Sequence, residues 1–325
     1  AVTPGYLGFE TAFLASYGSG PIRIGICAEY DALPGLGHAC GHNLISAIAV
    51  GTASALIPFA DELGITVEVY GTPAEEGGGG KIELLDRGAF VGLDLAVMAH
   101  PGPVDVAEAR PFAVSHSHIS YDGKSAHAGA YPEDGVNAND AFVVAQVALG
   151  LLRQQLPSTA RVHGIMTVGG QAPNAIPDRT EGRWYVRAET LQELEGIEQK
   201  VLRCFEAGAI ASGATLSVAA ESQPYAEFRN DTRALEFYRR NAQALGRRFD
   251  TSGSGRMNRA STDMGNVSQV VPAIHPYIGL NSLPATNHQP EFAQHCVGPD
   301  ASRAVRDASV ALAQTIVDFA ASPVE

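Results

Sequence analysis

The sequence predicts an α/β fold with a smaller α+β domain inserted into it. In the first third of the chain and again near its end, strand-length apolar runs alternate with helix-length ones; the middle third switches to strands with one wet face. A length of 325 residues suits two domains at roughly 150 residues each. Apolar residues make up 45% and charged residues 18%, enough for a large core, so a disordered chain is excluded.

Residues 21–28 read as a buried strand, 40–57 as a small-residue buried helix, 65–70 as a second strand, 81–89 as a short helix and 93–98 as a third strand. This β-α-β order argues for a sheet covered by helices on both faces. The pattern changes after Pro111. Strands are expected at 112–121, 161–168, 182–188 and 214–220, with helices at 137–156 and 191–211. The order β-α-β-β-α-β is that of a ferredoxin-like unit of about 110 residues. From Tyr225 onward, a helix at 231–245, a Gly/Ser-rich stretch at 251–255, a strand at 274–280 and an amphipathic helix at 299–320 read as α/β again. The larger domain is therefore expected over 1–111 and 225–325, and the insertion over 112–224.

The 22 basic and 35 acidic residues give a net charge of −13. So acidic a chain, with no basic run, argues against nucleic acid or an anionic membrane as partner. The surplus acid either serves solubility or holds cations. Cys27, Cys40, Cys204 and Cys296 are widely spaced, so neither a disulfide scaffold nor a zinc ribbon is indicated, and a cytoplasmic setting is expected. There is no run of 18 apolar residues and no visible secretory leader; the chain starts at Ala1 rather than Met, which leaves targeting open.

Polar residues concentrate where apolar strands end. The segments are Glu29 to Asn43, holding Asp31, His38, Cys40 and His42; Thr72 to Gly80, holding Glu75 and Glu76; and Met98-Ala-His100-Pro. Thr286 to Phe292, with His288, is a fourth. Loops beyond the carboxyl ends of strands build active sites in open α/β sheets. Cys, His and carboxylate are the side chains that bind zinc or manganese, and adjacent glutamates can divide into ligand and general base. Taken singly, each has a plainer reading: Cys40 as a core thiol, Glu75-Glu76 as a solvated corner, His100 as an edge histidine. His116, His118, His163, His275 and His295 read as surface or interface residues. Joint occurrence at strand ends favours the metal. The segment 77–81 lacks the first Gly and the Ser/Thr of a phosphate loop. A Cys40–His42 dyad is disfavoured because residues two apart at a helix start do not face each other.

At these segments the sequence resembles the zinc amidohydrolases and dipeptidases of the aminoacylase and glutamate-carboxypeptidase superfamily. Within it, the chain is similar to the branch of aminobenzoyl-glutamate hydrolase, the auxin-conjugate hydrolases and the aminoacylase-like β-alanyl-lysine dipeptidase. The carrying motifs include Ala28-Glu-Tyr-Asp-Ala-Leu-Pro34, Gly37-His-Ala-Cys-Gly-His-Asn43, Pro73-Ala-Glu-Glu-Gly-Gly78, Met98-Ala-His-Pro101, Gly123-Lys-Ser-Ala-His127, Gly169-Gly-Gln-Ala-Pro-Asn174 and Ser261-Thr-Asp-Met-Gly-Asn266. They span nearly the whole chain in order.

The resemblance implies a catalytic domain with a central mixed β-sheet flanked by helices, plus an inserted ferredoxin-like lid through which a homodimer forms. It implies two divalent metal ions, zinc or manganese with cobalt a third option, on Cys40, His42, Glu76, His100 and His288, with Cys40 bridging. Glu75 is then the general base and His127 an oxyanion donor. Asn174 contacts substrate, and Asp31 supports a ligand. Two positions depart from the wider superfamily. Glu29 replaces a His, so another ligand set is needed, and Cys40 replaces a bridging Asp; both suit the aminobenzoyl-glutamate branch. Asn43, where many auxin-conjugate hydrolases have Asp, favours the dipeptidase-like side. The expected activity is metal-dependent hydrolysis of an amide bond in N-acyl amino acids or dipeptide-like substrates. The alternatives are a dipeptidase proper acting on free-amine dipeptides such as β-alanyl dipeptides, and an inactive metal- or peptide-binding homologue.

Overall fold

A computed structural model describes residues 1–252 and 259–322; positions 253–255 of the Gly/Ser-rich stretch lie outside them. In chain order the first strands are β1 (Val2–Pro4), β2 (Phe13–Tyr17), β3 (Ile22–Ala28), β4 (Ile65–Gly71), β5 (Leu95–Val97) and β6 (His100–Gly102). They are followed by β7 (Ala113–Asp122), β8 (Arg161–Val168), β9 (Arg179–Ala188), β10 (Thr215–Ala220), β11 (Ala273–Ile274) and β12 (Tyr277–Gly279). The helices begin with α1 (His42–Leu56), α2 (Ala60–Leu63), α3 (Gly80–Asp86), α4 (Ala138–Leu152) and α5 (Leu191–Ser212). They end with α6 (Thr232–Ala244), α7 (Met264–Ser268), α8 (Pro290–His295) and α9 (Pro299–Ala321). The chain divides into two compact units, one of Ala1–Pro111 with Glu227–Glu325 and one of Phe112–Ala226.

The first unit is built on a mixed sheet in the order β1-β2-β4-β3-β5-β11. The strands β4, β3, β5 and β11 run parallel, and β2 pairs with β4 antiparallel. Side chains alternate between the sheet's faces, and along β3, β4, β5 and β11 both faces are largely dry. Ile24, Ile26 and Ala28 of β3, with Val67, Val69, Leu95 and Val97, join α1, α6 and α9 in one core. Cys27, Tyr70, Ala96 and Met98 enter a second core with Leu84, Phe90 and Val267 on the opposite face. This is why the strands read as unbroken apolar runs. The helical stretch 42–63 is long and apolar enough by composition to cross a bilayer, yet α1 packs against β3 and α9.

The strands differ from the sequence expectation at both ends of the first unit's sequence, and β6, α2, α7 and α8 lie where no element is expected. The strands β1 and β2 lie where no strand is expected; they are half-wet or exposed and carry little apolar signal. The strand expected over 274–280 divides, β11 pairing with β5 and β12 with β6.

The second unit is a sheet in the order β10-β7-β9-β8 with antiparallel pairing throughout. Numbered within the unit this is 4-1-3-2, the ferredoxin-like order. The helices α4 and α5 pack together and against the sheet around Phe142, Trp184 and Phe205. Helix capping accounts for their starts: the Asn137 side chain accepts from Asn139 N–H and Thr190 from Glu193 N–H.

Candidate metal centre

Neighbouring parallel strands deliver the site. Glu29 and Asp31 follow β3, Glu75 and Glu76 follow β4, and His100 opens β6 just beyond β5. Cys40 and His42 flank Gly41, whose φ of 87° is left-handed; a Cβ there would stand 2.8 Å from Pro101 Cγ. α1 therefore begins at His42 and Cys40 stays in the preceding turn. The expectation that these two side chains cannot face each other fails for this reason: it assumed a shared helix. Gly80 is equally constrained, since a Cβ on it would lie 1.9 Å from Pro73 O. That close approach folds the Gly run back under the loop bearing Glu75 and Glu76.

Second contacts set the histidines. His42 Nδ1 lies 3.1 Å from Asp31 Oδ1, and Asp31 Oδ2 accepts from Glu76 N–H at 3.0 Å. Donation from Nδ1 to Asp31 leaves Nε2 as the ligating atom. His100 Nδ1 lies 2.7 Å from Pro101 O, so it donates there and turns Nε2 toward Cys40 Sγ, 3.6 Å away. His288, half-exposed and left-handed at φ 68°, places Nε2 3.5 Å from Glu76 Oε1.

Two donor groups share Cys40. The ligand atoms of Cys40, His42 and His100 lie within 4.8 Å of one another, as do those of Cys40, Glu76 and His288. Two donors on one tetrahedral ion, with bonds of about 2.0–2.3 Å, stand about 3.4–3.6 Å apart. The Cys40–His100 and Glu76–His288 separations match that span. His42 Nε2 and Glu76 Oε1 are buried without a hydrogen-bond partner, as expected of atoms that await a cation. The residues present fit two divalent ions.

The local field points the same way. Burial opposes a charge on His42, but Glu29, Asp31 and Glu75 raise its pKa to about 10. Burial, then Glu76, Glu75 and Glu29, push the Cys40 thiol well above its ordinary value. Burial, then Glu29 and Asp263, raise the Glu75 carboxyl. His100 is pulled down to about 3 by burial, His275 and His42, so it is neutral. The acidic neighbours that favour protons on His42, Cys40 and Glu75 favour cations there too.

Sequence reasoning missed part of this centre. Lys81, dismissed with the false phosphate loop, is fully buried, its Nζ 2.5 Å from Glu29 Oε1 and 2.7 Å from Asp263 Oδ1. A Gly run closing on a Lys at a helix start was the available signal. His275, expected at a surface or interface, is buried with its ring 5.7 Å from that of His100. His127 and Asn174 lie in the second unit, both exposed and adjacent, since Ala128 N–H donates to Asn174 O at 2.9 Å.

A family model described as a peptidase dimerisation domain matches residues 113–212. An Xaa-Arg dipeptidase of Mus musculus is 41% identical, the match covering 99% of this chain and 77% of the mouse protein. The chain belongs to the M20 metallopeptidase family. It is a metal-dependent amide hydrolase. A p-aminobenzoyl-glutamate hydrolase chain from Escherichia coli is 31% identical over 63% of this chain and 47% of its own length. Among solved structures, an M20-family peptidase of Bacillus subtilis described as dinuclear and metal-binding shares the fold. Its TM-score is 0.71 at 23% identity, over 98% of this chain and 87% of that one.

If Asp31 fixes the His42 tautomer, Asp31→Asn should weaken divalent-metal binding about 10–100-fold while leaving the circular dichroism spectrum unchanged. Chelator-competition titration measures this, and wild-type affinity would remove Asp31 from the centre.

Proposed function

We propose that this chain is a two-ion dipeptidase acting on free-amine dipeptides with arginine or another cationic residue at the carboxyl end. The observation that carries the centre is the pair of donor groups sharing Cys40, with Glu75 Oε2 4.0 Å from His42 Nε2. The mouse relative supports the leaving residue, and the net charge of −13 suits a cationic substrate. Sequence reasoning ranks N-acyl amino acids ahead of free-amine dipeptides; the 41% identity with a dipeptidase favours the reverse order.

Cys40, His42 and His100 would hold one ion, and Cys40, Glu76 and His288 the other, as zinc or manganese. When bound, such ions supply Lewis acidity at the amide carbonyl and lower the pKa of water. Glu75 takes the proton of the attacking water and passes it to the leaving nitrogen. His127 Nδ1 accepts from Gly129 N–H at 3.2 Å and Ala130 N–H at 3.1 Å, so the proton sits on its exposed Nε2. We assign that N–H to the tetrahedral oxyanion and Asn174 to the substrate carboxylate.

The dimerisation match and an exposed apolar stripe on α4 support a homodimer through the second unit. Val143, Val147 and Leu151 recur every four residues there, 50%, 60% and 73% exposed.

Metal-loaded protein offered Xaa-Arg dipeptides, β-alanyl dipeptides, N-acyl arginine and aminobenzoyl-glutamate should show its highest kcat/KM on the first. Cleavage of N-acyl substrates alone would overturn the free-amine reading. Glu75→Gln should lower kcat by at least about 100-fold with metal content intact; an unchanged kcat would remove Glu75 as the base. His127→Ala should cost about 10²–10³ in kcat with both ions retained, and full activity would exclude it from catalysis. Val147→Glu should convert a dimer to a monomer in light scattering, a result that a dimer of unchanged mass contradicts.

A further inference from the structure

Glu29, Lys81 and Asp263 are all fully buried. The Lys81 ammonium is 2.5 Å from Glu29 Oε1 and 2.7 Å from Asp263 Oδ1, and Lys81 N–H donates to Asp263 Oδ2 at 2.9 Å. One oxygen of Glu29 is thereby occupied and its carboxylate plane held. The other, Oε2, is buried with no hydrogen-bond partner and faces His42 Nε2 at 3.4 Å, an atom equally without one.

A carboxylate oxygen and an imidazole nitrogen that face each other in a dry site need a proton or a cation between them. His42 already has a carboxylate partner at Nδ1. The separation of 3.4 Å is that of two donors sharing one tetrahedral ion with bonds of about 2.0–2.2 Å. Glu29, His42 and Glu75 also form a third group whose ligand atoms lie within 4.8 Å of one another.

We propose that Glu29 is a further protein donor to the ion held by His42, with Oε2 as the donor atom and Lys81 fixing its aim. The inference rests on the metal centre described above and on no assumption about substrate.

The test reads metal binding rather than turnover. Metal-stripped wild type and Glu29→Gln are titrated with Zn²⁺ against a chromophoric chelator and with Co²⁺ by visible absorption. Glutamine preserves volume and an acceptor for Lys81. The substitution should weaken one of two zinc equivalents by at least about 10-fold and leave the other unchanged. It should shift the cobalt d–d bands and keep the Cys40 thiolate band. Crystals of zinc-loaded wild type, with anomalous data, should place an ion within about 2.2 Å of Glu29 Oε2, and they decide the matter alone if the variant does not fold. Wild-type affinity at both equivalents with an unshifted cobalt spectrum overturns the proposal, as does an ion beyond about 3 Å from that oxygen. A wild type that takes up no zinc overturns the centre itself, an outcome distinct from both.

Discussion

An ammonium sealed from water must bring its anions with it, and much of this site follows from how Lys81 meets that requirement. Its partners come from two distant places in the chain, Glu29 just past β3 and Asp263 just before α7. Lys81 sits in the first turn of α3, immediately after the Gly run that follows Glu75 and Glu76. The ion pairs therefore tie the end of one strand, the loop after its neighbour and a helix on the opposite core to one point. Burial pushes the Glu29 carboxyl up, but Lys81 and His42 together hold it below its ordinary value. Removing one partner of such a buried pair typically costs about 3–5 kcal/mol, so the three side chains form a single structural unit.

Asp31 extends that unit to the other side of the site. One oxygen engages His42 at the start of α1, and the other accepts the backbone N–H of Glu76. Its carboxyl is held at about 2, because the His42 and Glu76 hydrogen bonds overcome the effect of burial. The helix bearing one group's ligands and the loop bearing the other's thus share an anchor. His100 is oriented separately, by the carbonyl of its own neighbour Pro101. In both rings Nδ1 is engaged by an acceptor, which leaves Nε2 as the atom turned toward the centre.

The legible part of the protein was the part carried by periodicity and by clusters of unusual residues. Doubly buried strands gave continuous apolar runs, and the β-α-β-β-α-β order of the second unit followed from alternation alone. Cys40, His42, Glu76 and His100 stood out because metal-ligating types recurred at strand ends. The rest depended on three-dimensional facts with little local signal. A left-handed Gly41 decides whether Cys40 and His42 converge, yet in the sequence it is one of 35 glycines. Lys81 stands in the sequence only as the end of a Gly run at a helix start until Glu29 and Asp263 are brought to it from 52 and 182 positions away. His275 sits in a segment whose register is set by pairing with β5 and β6, which sequence pattern did not separate.

Charge balance gives the centre its logic. Glu29, Asp31, Glu75, Glu76 and Asp263 crowd one end of the sheet, and Lys81 is the only ammonium interleaved with them among the described residues. With all six ionised the surplus is four negative charges, and a Cys40 thiolate makes it five, of which two divalent cations offset four. Without those cations the surplus must be relieved by protonation, and the raised values at Glu75, His42 and Cys40 show where the protons would go. Metal at the proposed ligands would displace those protons, and its charge would favour Glu75 as the carboxylate that its proposed role as base requires. The same crowding that would destabilise the bare edge is what selects for cations at it, so this end of the first unit is folded for its ions as much as by its core.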